Sequence, residues 1–301
     1  MPAVEPLDNA SFEQCLAAAG HSPTALRMVL GHVLRQTRKE AGIEAGTASR
    51  HIGGSESKVS RLERGLVTAK ESDVIALLRL YGVDDVHVLA RFRELVSLAQ
   101  ESGWWHRFDE VLPDWFPKFI GLQEAADMIR TYEVTLVPGL LQTTDYARTV
   151  IRQGHPLAGE REIDERVELR RNRQALLNRA EPPRLWALLD EAVLHRQVGG
   201  AQIMRAQFQH LADMARSSEY ITLQIAPFNQ THCASPGFPV THLRFAYPGL
   251  PDIVYLEQLR DATYLDKRAE TEHYRSVLDT LAAQALDPDS SLHLLEAAAA
   301  L

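Results

Sequence analysis

Two short helical segments around a pair of glycines, within residues 45–64, constrain the fold of this chain more than any other feature. Small and apolar residues recur at helical spacing on one side of each segment. They are Ala48, Ser49 and Ile52 in the first segment and Val59 and Leu62 in the second. Gly53 and Gly54 allow a sharp turn between them, because glycine enters left-handed conformations without a Cβ penalty. With Ser55 as an N-cap, this pattern predicts a helix-turn-helix.

The outer face of the second segment carries charged and hydrogen-bonding side chains. They are Glu56, Ser57, Lys58, Ser60, Arg61 and Arg64. Such groups suit the base edges and phosphates of DNA. Ser57, Lys58 and Arg61 are expected to contact bases, and Glu56 is expected to accept a hydrogen bond from a cytosine amino group. Phosphates are expected to be held by Ser55, Ser60, Arg64 and the amide end of the helix at Ala45. On this pattern alone, a helical hairpin with a solvated charged face remains an alternative.

The residues around this segment resemble the helix-turn-helix domain of phage repressors and of the xenobiotic-response-element (XRE) family. In that family an Arg of the opening helix pairs with a Glu at the end of the recognition helix, and Arg38 and Glu63 stand at the matching positions. Residues 72–83 resemble the helix that closes its five-helix domain. Two positions depart from the pattern, since Gly54 replaces a branched aliphatic residue and Glu56 replaces a Gln that reads a base. The resemblance implies sequence-specific binding to double-stranded DNA and regulation of transcription.

Length and charge limit the class of protein. The 301 residues predict two domains, with three as the alternative. Residues 26–70 hold nine Lys or Arg and four Asp or Glu, although the whole chain has a net charge of −8, so we expect a basic module on an acidic body. The chain shows no apolar run near the roughly 18 residues that cross a bilayer and no secretory signal, which predicts a cytoplasmic protein without a membrane partner. Cys15 and Cys233 are expected to be free thiols.

The chain is predicted to be multidomain, with an all-α five-helix helix-turn-helix head followed by an α+β body. The predicted segments are an extension (1–22), the head (23–83), a connecting helix (84–103), the body (104–286) and a tail (287–301). Residues 121–132 are predicted to be helical. After residue 183, β-rich runs broken by Pro and Gly predict a small, mostly antiparallel sheet.

Two clusters in the body each allow two interpretations. The aromatic cluster is Trp104, Trp105, Trp115, Phe116 and Phe119, and the basic cluster is Arg166, Arg170, Arg171 and Arg173. The aromatic residues either form a ligand cage or wedge the connecting helix against the body, and the wedge is favoured. The arginines either bind an anion or nucleic acid, or form a solvated face paired with neighbouring acids, and the paired face is favoured.

The body contains two pairs of residues that could act in catalysis or metal binding, and the sequence around each pair argues against that role. Glu191 and His195 have the spacing that chelates a metal on a helix, but the segment predicts a strand followed by a turn, which would separate them. His232 and Cys233 are adjacent in a loop, where neighbouring side chains rarely face each other. Phosphate-loop, dinucleotide and nucleophile-elbow motifs are absent from the sequence. We therefore expect neither an enzyme nor a metal site nor a cofactor.

From residue 103 onward, the chain resembles the body domain of actinobacterial WhiJ-like regulators. The matching strings are VLPDWF (111–116), IRTYE (129–133), LVPGLLQTTDYAR (136–148), RLWALLDEAVL (184–194) and VYLEQL (254–259). The resemblance implies a regulator of development and secondary metabolism, often encoded beside a small acidic protein thought to act as an antagonist.

Two functions follow from these observations. One is a homodimeric transcriptional regulator that reads a near-palindromic operator, with a body for dimerisation and for signal or partner input. The other is an antitoxin-like interaction or ligand-sensing module, in which the body binds a small partner protein and DNA binding is secondary. The presence of Lys58 and Arg61 together with the pair Arg38 and Glu63 favours the first.

Overall fold

The structure, a computed structural model, describes residues 22–229, 236–247 and 249–300, and these form two compact units. The helical unit holds the described residues up to His106 together with Lys118–Ala125 and the described part of Phe245–Leu250. The sheet unit holds the rest. The predicted extension, except Ser22, and both cysteines lie outside the described residues.

Five helices build the helical unit from its N-terminal side. They are α1 (Pro23–Glu40), α2 (Ala45–His51), α3 (Glu56–Glu63), α4 (Glu71–Leu80) and α5 (Val86–Gln100). Ser22 caps α1 by accepting from the Ala25 amide and donates to the carbonyl of Gly121 at 2.7 Å. Asp85 caps α5 in the same way, accepting from the amides of His87 and Val88. The predicted all-α head is confirmed.

The helix predicted as a connector, α5, belongs to the core of the helical unit. Its buried residues are Leu89, Phe92, Leu95, Val96 and Ala99. They pack α5 against α1 and α4, since apolar residues at three- and four-residue spacing make a stripe that must be covered. Gln100 adds a hydrogen bond from its Nε2 to the Ala69 carbonyl at 2.8 Å. Residues 84–103 therefore belong to the helical unit and do not form a separate connecting segment.

The predicted aromatic cluster is divided between the units. Trp104, Trp105 and Phe119 lie in the helical unit, whereas Trp115 and Phe116 lie in the sheet unit. Trp105 is 2% exposed and stands edge-to-face against Trp104, with ring centroids 5.8 Å apart. Trp105 is thus a core residue of the helical unit, and a single ligand cage made of all five rings is not formed within either unit.

Seven further helices and a six-stranded sheet complete the described residues. The helices are α6 (Phe116–Ala125), which begins in the sheet unit and continues in the helical unit, α7 (Thr144–Gly154), α8 (Glu160–Gln174), α9 (Ala192–His195), α10 (Ala201–Ser217), α11 (Arg268–Gln284) and α12 (Pro288–Ala300). Short 3₁₀ turns lie at Trp104–Phe108, Gly139–Leu141 and Ala175–Asn178. In the described part of the chain, no helix is long and apolar enough to cross a membrane.

The sheet is mixed, with three antiparallel and two parallel ladders, so the predicted small and mostly antiparallel sheet is confirmed. Its strands are β1 (Met128–Glu133), β2 (Arg184–Asp190), β3 (Ile221–Ala226), β4 (Val240–Arg244), β5 (Ile253–Glu257) and β6 (Ala262–Leu265). They lie in the order β3-β2-β1-β4-β5-β6.

Strand β1 corrects one prediction, since residues 121–132 were expected to be helical throughout. The helix ends at Ala125, and the strand begins at Met128. The strand is central, because it pairs with β2 on one side and β4 on the other and buries Ile129 through Tyr132. Pairing on both edges outweighs a local helical pattern of this length.

Helix α8 corrects a second prediction. Arg166 forms the expected surface pair with Glu162, with 2.8 Å between guanidinium and carboxylate. Arg170 and Arg173 do not lie on that solvated face. Arg170 donates to the side chain of buried Gln142, Arg173 lies over the Phe116 ring, and burial lowers the pKa of each to about 10. The interpretation of the whole arginine run as a solvated, internally paired face is therefore wrong for these two residues.

The face of the sheet toward α11 holds an apolar core and one buried cation. The core includes Tyr132, Leu188, Val254 and Leu278. Arg130 is 5% exposed, lies over the Trp186 ring at 4.7 Å and donates to Asp279 at 2.6 Å. Because the carboxylate is half-exposed, water weakens this pair, although the guanidinium itself has little access to solvent.

We expect Asp279→Ala to lower the free energy of unfolding by about 1–3 kcal/mol, since it leaves the Arg130 cation without its carboxylate. Chemical denaturation measures the loss. The matched control is Glu272→Ala on the same helix, whose partner Arg268 is exposed, and little change is expected there. Equal losses in the two variants would contradict the role given to Asp279.

Candidate nucleic-acid interface

The helix-turn-helix is formed by α2 and α3, with the boundaries that the spacing predicts. Ala48 and Ser49 are buried on the inner side of α2, and the Ser49 hydroxyl donates to the Gly46 carbonyl at 2.9 Å. Gly53 has a φ of 60°, which makes the turn between the helices. Ser55 then caps α3 by accepting from the Lys58 amide at 3.2 Å. The helix α3 is thus held at its start by local hydrogen bonds.

The end of α3 packs backbone to backbone on α1. A Cβ placed on Gly31, in the middle of α1, would lie 2.5 Å from the Leu62 carbonyl oxygen. A Cβ on Gly65, where φ is 64°, would lie 2.6 Å from the Cα of Met28. The sequence analysis did not identify Gly31 as a contact residue. A glycine that interrupts an amphipathic helix could have indicated it. These two contacts set how far the exposed side of α3 stands from α1.

Arg38 and Glu63 form an ion pair in the structure, as the resemblance to the XRE family implies. The Arg38 guanidinium donates from Nε to Glu63 Oε1 at 2.6 Å and from its second terminal nitrogen to Oε2 at 3.0 Å. Its third donor reaches the Ile43 carbonyl at 2.8 Å. Glu63 is buried and the Arg38 side chain is 11% exposed, and burial together with Glu63 raises the pKa of the neighbouring Tyr81. The pair thus joins α1, α3 and the connection before α2.

Lys58, expected to reach a base, is held within the head. Its ammonium lies 2.7 Å from Asp73 of α4, and its side chain is half-buried. Its aliphatic chain crosses Gly54, where a Cβ would lie 2.8 Å from the Lys58 Cδ. This contact explains why glycine occupies position 54, where the related pattern has a branched residue: the stem of Lys58 takes that space.

Glu56, expected to read a cytosine, folds back toward α2. A Cβ on Gly46 would lie 2.6 Å from the Glu56 carboxylate oxygen. Ala45 begins α2, and its N-cap residue Glu44 makes no side-chain cap. The carboxylate of Glu56 therefore lies over the first turn of α2, next to the amide end that was predicted to hold a phosphate.

Four of the predicted contact residues remain on the exposed side of α3 and its C-cap. They are Ser57, Ser60, Arg61 and Arg64. Arg64 donates from Nε to the Ser60 carbonyl at 3.4 Å. In the part of the chain that the structure describes, Arg61 has no protein partner and stays available to a ligand. The exposed Arg50 of α2, which the sequence reasoning left out, adds a further cation.

The structure also shows where two candidate metal ligands of the sheet unit lie. Glu191 and His195, expected to point apart, lie 3.3 Å from each other, because β2 is followed by the helical turn α9 and not by an open turn. Glu191 also accepts from the Phe228 amide at 2.7 Å, and the His195 ring stacks on Phe228. Among the described residues, no group of three or more His, Cys, Asp or Glu could hold a metal. His232 and Cys233 lie outside that part of the chain.

Two models of protein families match the chain. Residues 29–91 match a helix-turn-helix domain, and residues 116–297 match a domain of unknown function (DUF5753). No curated protein and no solved structure matches the chain. The first match supports a DNA-binding head and a role in regulating transcription. The resemblance of the body to WhiJ-like regulators stays a prediction, since the matching domain carries no stated function.

We expect Glu63→Ala to lower the free energy of unfolding by about 2–4 kcal/mol, because it leaves the largely enclosed Arg38 guanidinium without its carboxylate. Urea denaturation of the full chain measures the change. Glu71→Ala is the matched control, because its pair with Arg93 is exposed. A Glu63→Ala protein with unchanged unfolding but altered base preference would show that Glu63 reads DNA instead.

Proposed function

Because the chain belongs to the family of the domain of unknown function DUF5753 and carries a helix-turn-helix domain in front of it, we propose that it is a sequence-specific DNA-binding regulator of transcription. The observation that supports this most is the exposed side of α3, where Arg61 stands free of protein partners in the described residues. The ion pair between Arg38 and buried Glu63 holds that side in place.

In the proposed complex, α3 enters the major groove of DNA. Arg61 and Ser57 reach base edges, and a guanidinium suits the two acceptors of guanine. Ser60 and Arg64 contact phosphates. Lys58 is assigned a positioning role, since its ion pair with Asp73 joins α3 to α4. Discrimination among operators therefore depends on Arg61 more than on Lys58.

We propose that the regulator binds as a homodimer. A single small module buries about 600–1,000 Å² of protein surface on DNA, which is less than most specific complexes bury. Two copies related by a two-fold axis would place their recognition helices about 34 Å apart, one turn of DNA, and would read a near-palindromic operator. The DUF5753 domain, over residues 116–297, is proposed to provide dimerisation and signal input without catalysis.

We expect Arg61→Ala to weaken binding to the preferred operator by about 1–3 kcal/mol and to relax one position of the site. Sequencing of genomic fragments retained by the purified protein defines the operator, and fluorescence anisotropy on that site measures the loss. Arg79→Ala is the matched control, as Arg79 is an exposed arginine of the same unit on α4. Unchanged sequence preference in Arg61→Ala would refute the assignment of α3 as the reading helix.

We further expect the full chain to bind its operator with two copies per site. Sedimentation velocity, with and without labelled operator, gives both the state of the free protein and the stoichiometry. Deleting one half-site should reduce affinity by at least about tenfold, since each half contributes its own contacts. A monomer that holds one half-site as tightly as the full operator would overturn the dimer.

A further inference from the structure

The ammonium group of Lys58 is bound by a carboxylate of the neighbouring helix α4. Its Nζ lies 2.7 Å from Asp73 Oδ2, and the two side chains are 35% and 15% exposed. A pair that is partly enclosed by protein is screened less by salt than a pair in open solvent. Asp73 therefore offsets the positive charge that Lys58 would otherwise present on the exposed side of α3.

The direction of the Lys58 side chain is set along its stem as well as at its end. A Cβ on Gly54 would lie 2.8 Å from Lys58 Cδ, so the stem runs across the space that this glycine leaves open. The backbone is held too, because Ser55 accepts from the Lys58 amide at 3.2 Å. A lysine stem is otherwise flexible, and these contacts favour the conformation that reaches Asp73.

The position of Asp73 within α4 favours a carboxylate. Asp73 is the third residue of this helix, and the N-cap residue is Lys70, whose ammonium has no acceptor for the free amides. The amide end of a helix carries a partial positive charge, which stabilises an acidic side chain in the first turn. The charge of Asp73 is thus supported by its own helix and is directed at α3 through the ion pair.

Two other cations of this region keep their charges available. Arg61 follows Lys58 by three residues, so their side chains are neighbours on the surface of α3. In the described part of the chain, no carboxylate pairs with Arg61 or with the C-cap residue Arg64. Asp73 therefore offsets the charge of Lys58 and leaves the two arginines unaffected.

Charge and base contacts affect DNA binding in different ways. Each cation that meets a phosphate releases counterions, and this contribution to affinity is the same for every sequence. Hydrogen bonds to base edges favour one sequence over others. In the proposed operator complex, α3 lies in the major groove with Lys58 near base edges, whereas on other DNA a flexible ammonium can follow any phosphate. A freed Lys58 would thus strengthen non-operator binding more than operator binding.

We propose that Asp73 is a specificity-determining residue of the DNA-binding head. By holding the Lys58 ammonium, Asp73 withholds one cation from the phosphates of non-operator DNA and increases the ratio of operator affinity to non-operator affinity. It acts through Lys58 and makes no contact with DNA itself. The proposal rests on the proposed function, because it requires α3 to be the helix that meets DNA.

The test compares binding of the full-length protein to two labelled duplexes of equal length, one with the operator and one without it, over a series of salt concentrations. Asp73→Asn keeps the shape of the side chain and removes its charge. This variant should bind the non-operator duplex about five- to tenfold more tightly at about 0.1 M salt, with a salt slope steeper by about one phosphate contact. Affinity for the operator should rise less than about twofold.

Three further variants separate the ion pair from net charge and from folding. Asp73→Asn combined with Lys58→Gln restores the net charge of the parent pair, and should return both affinities and the salt slope to the parent values. Lys58→Gln alone leaves the Asp73 carboxylate uncompensated and should weaken non-operator binding by about five- to tenfold. The matched control is Glu71→Gln, which makes the same charge change on α4 but releases Arg93 of α5. It should leave the affinity ratio within about twofold of the parent.

Thermal unfolding of each variant shows whether it is folded, and Lys58→Gln tests the proposal if Asp73→Asn is not. The role of Asp73 is overturned if both single variants bind non-operator DNA as the parent does, if Asp73→Asn strengthens both duplexes equally, or if Glu71→Gln gives the same increase. A parent that prefers neither duplex would overturn the proposed function too. A clear operator preference in the parent, with no change in the variants, would overturn only the role of Asp73.

Discussion

The ion pair between Arg38 and Glu63 is the interaction on which the DNA-facing surface depends. Glu63 is buried and the Arg38 side chain is only 11% exposed, and the third nitrogen of the Arg38 guanidinium donates to the Ile43 carbonyl. One cation thereby joins the opening helix, the connection before α2 and the end of α3. Close contacts at Gly31 and Gly65 bring α3 against α1, and the ion pair fixes the direction in which α3 points.

Because contacts with α1 hold the inner side of α3 in place, the side chains on its exposed side can differ without loss of the fold. These side chains make different contacts in the structure, although in the sequence they are all polar residues of one helix. Lys58 is engaged by Asp73, Glu56 turns back over Gly46, and Arg61 remains available. Specific recognition would then depend on few side chains, which is typical of a short recognition helix.

The sheet unit has a comparable division between its two faces. Toward α11 the sheet is mainly apolar and encloses Arg130 with its partner Asp279. The other face ends in Glu133 and Glu257, near two arginines of α8. Charges of both signs at one strand end are costly to enclose, and opposite charges close to one another offset part of that cost.

The sequence by itself determined the helix-turn-helix, because helical periodicity, a glycine turn and an N-cap act within a few residues of one another. It also indicated an α+β body with a small sheet. Only the tertiary structure decided that residues 128–133 form a central strand, that Lys58 pairs with Asp73, and that Arg170 donates to Gln142. Each of these depends on a partner distant in sequence or on burial, and local spacing carries no information about either.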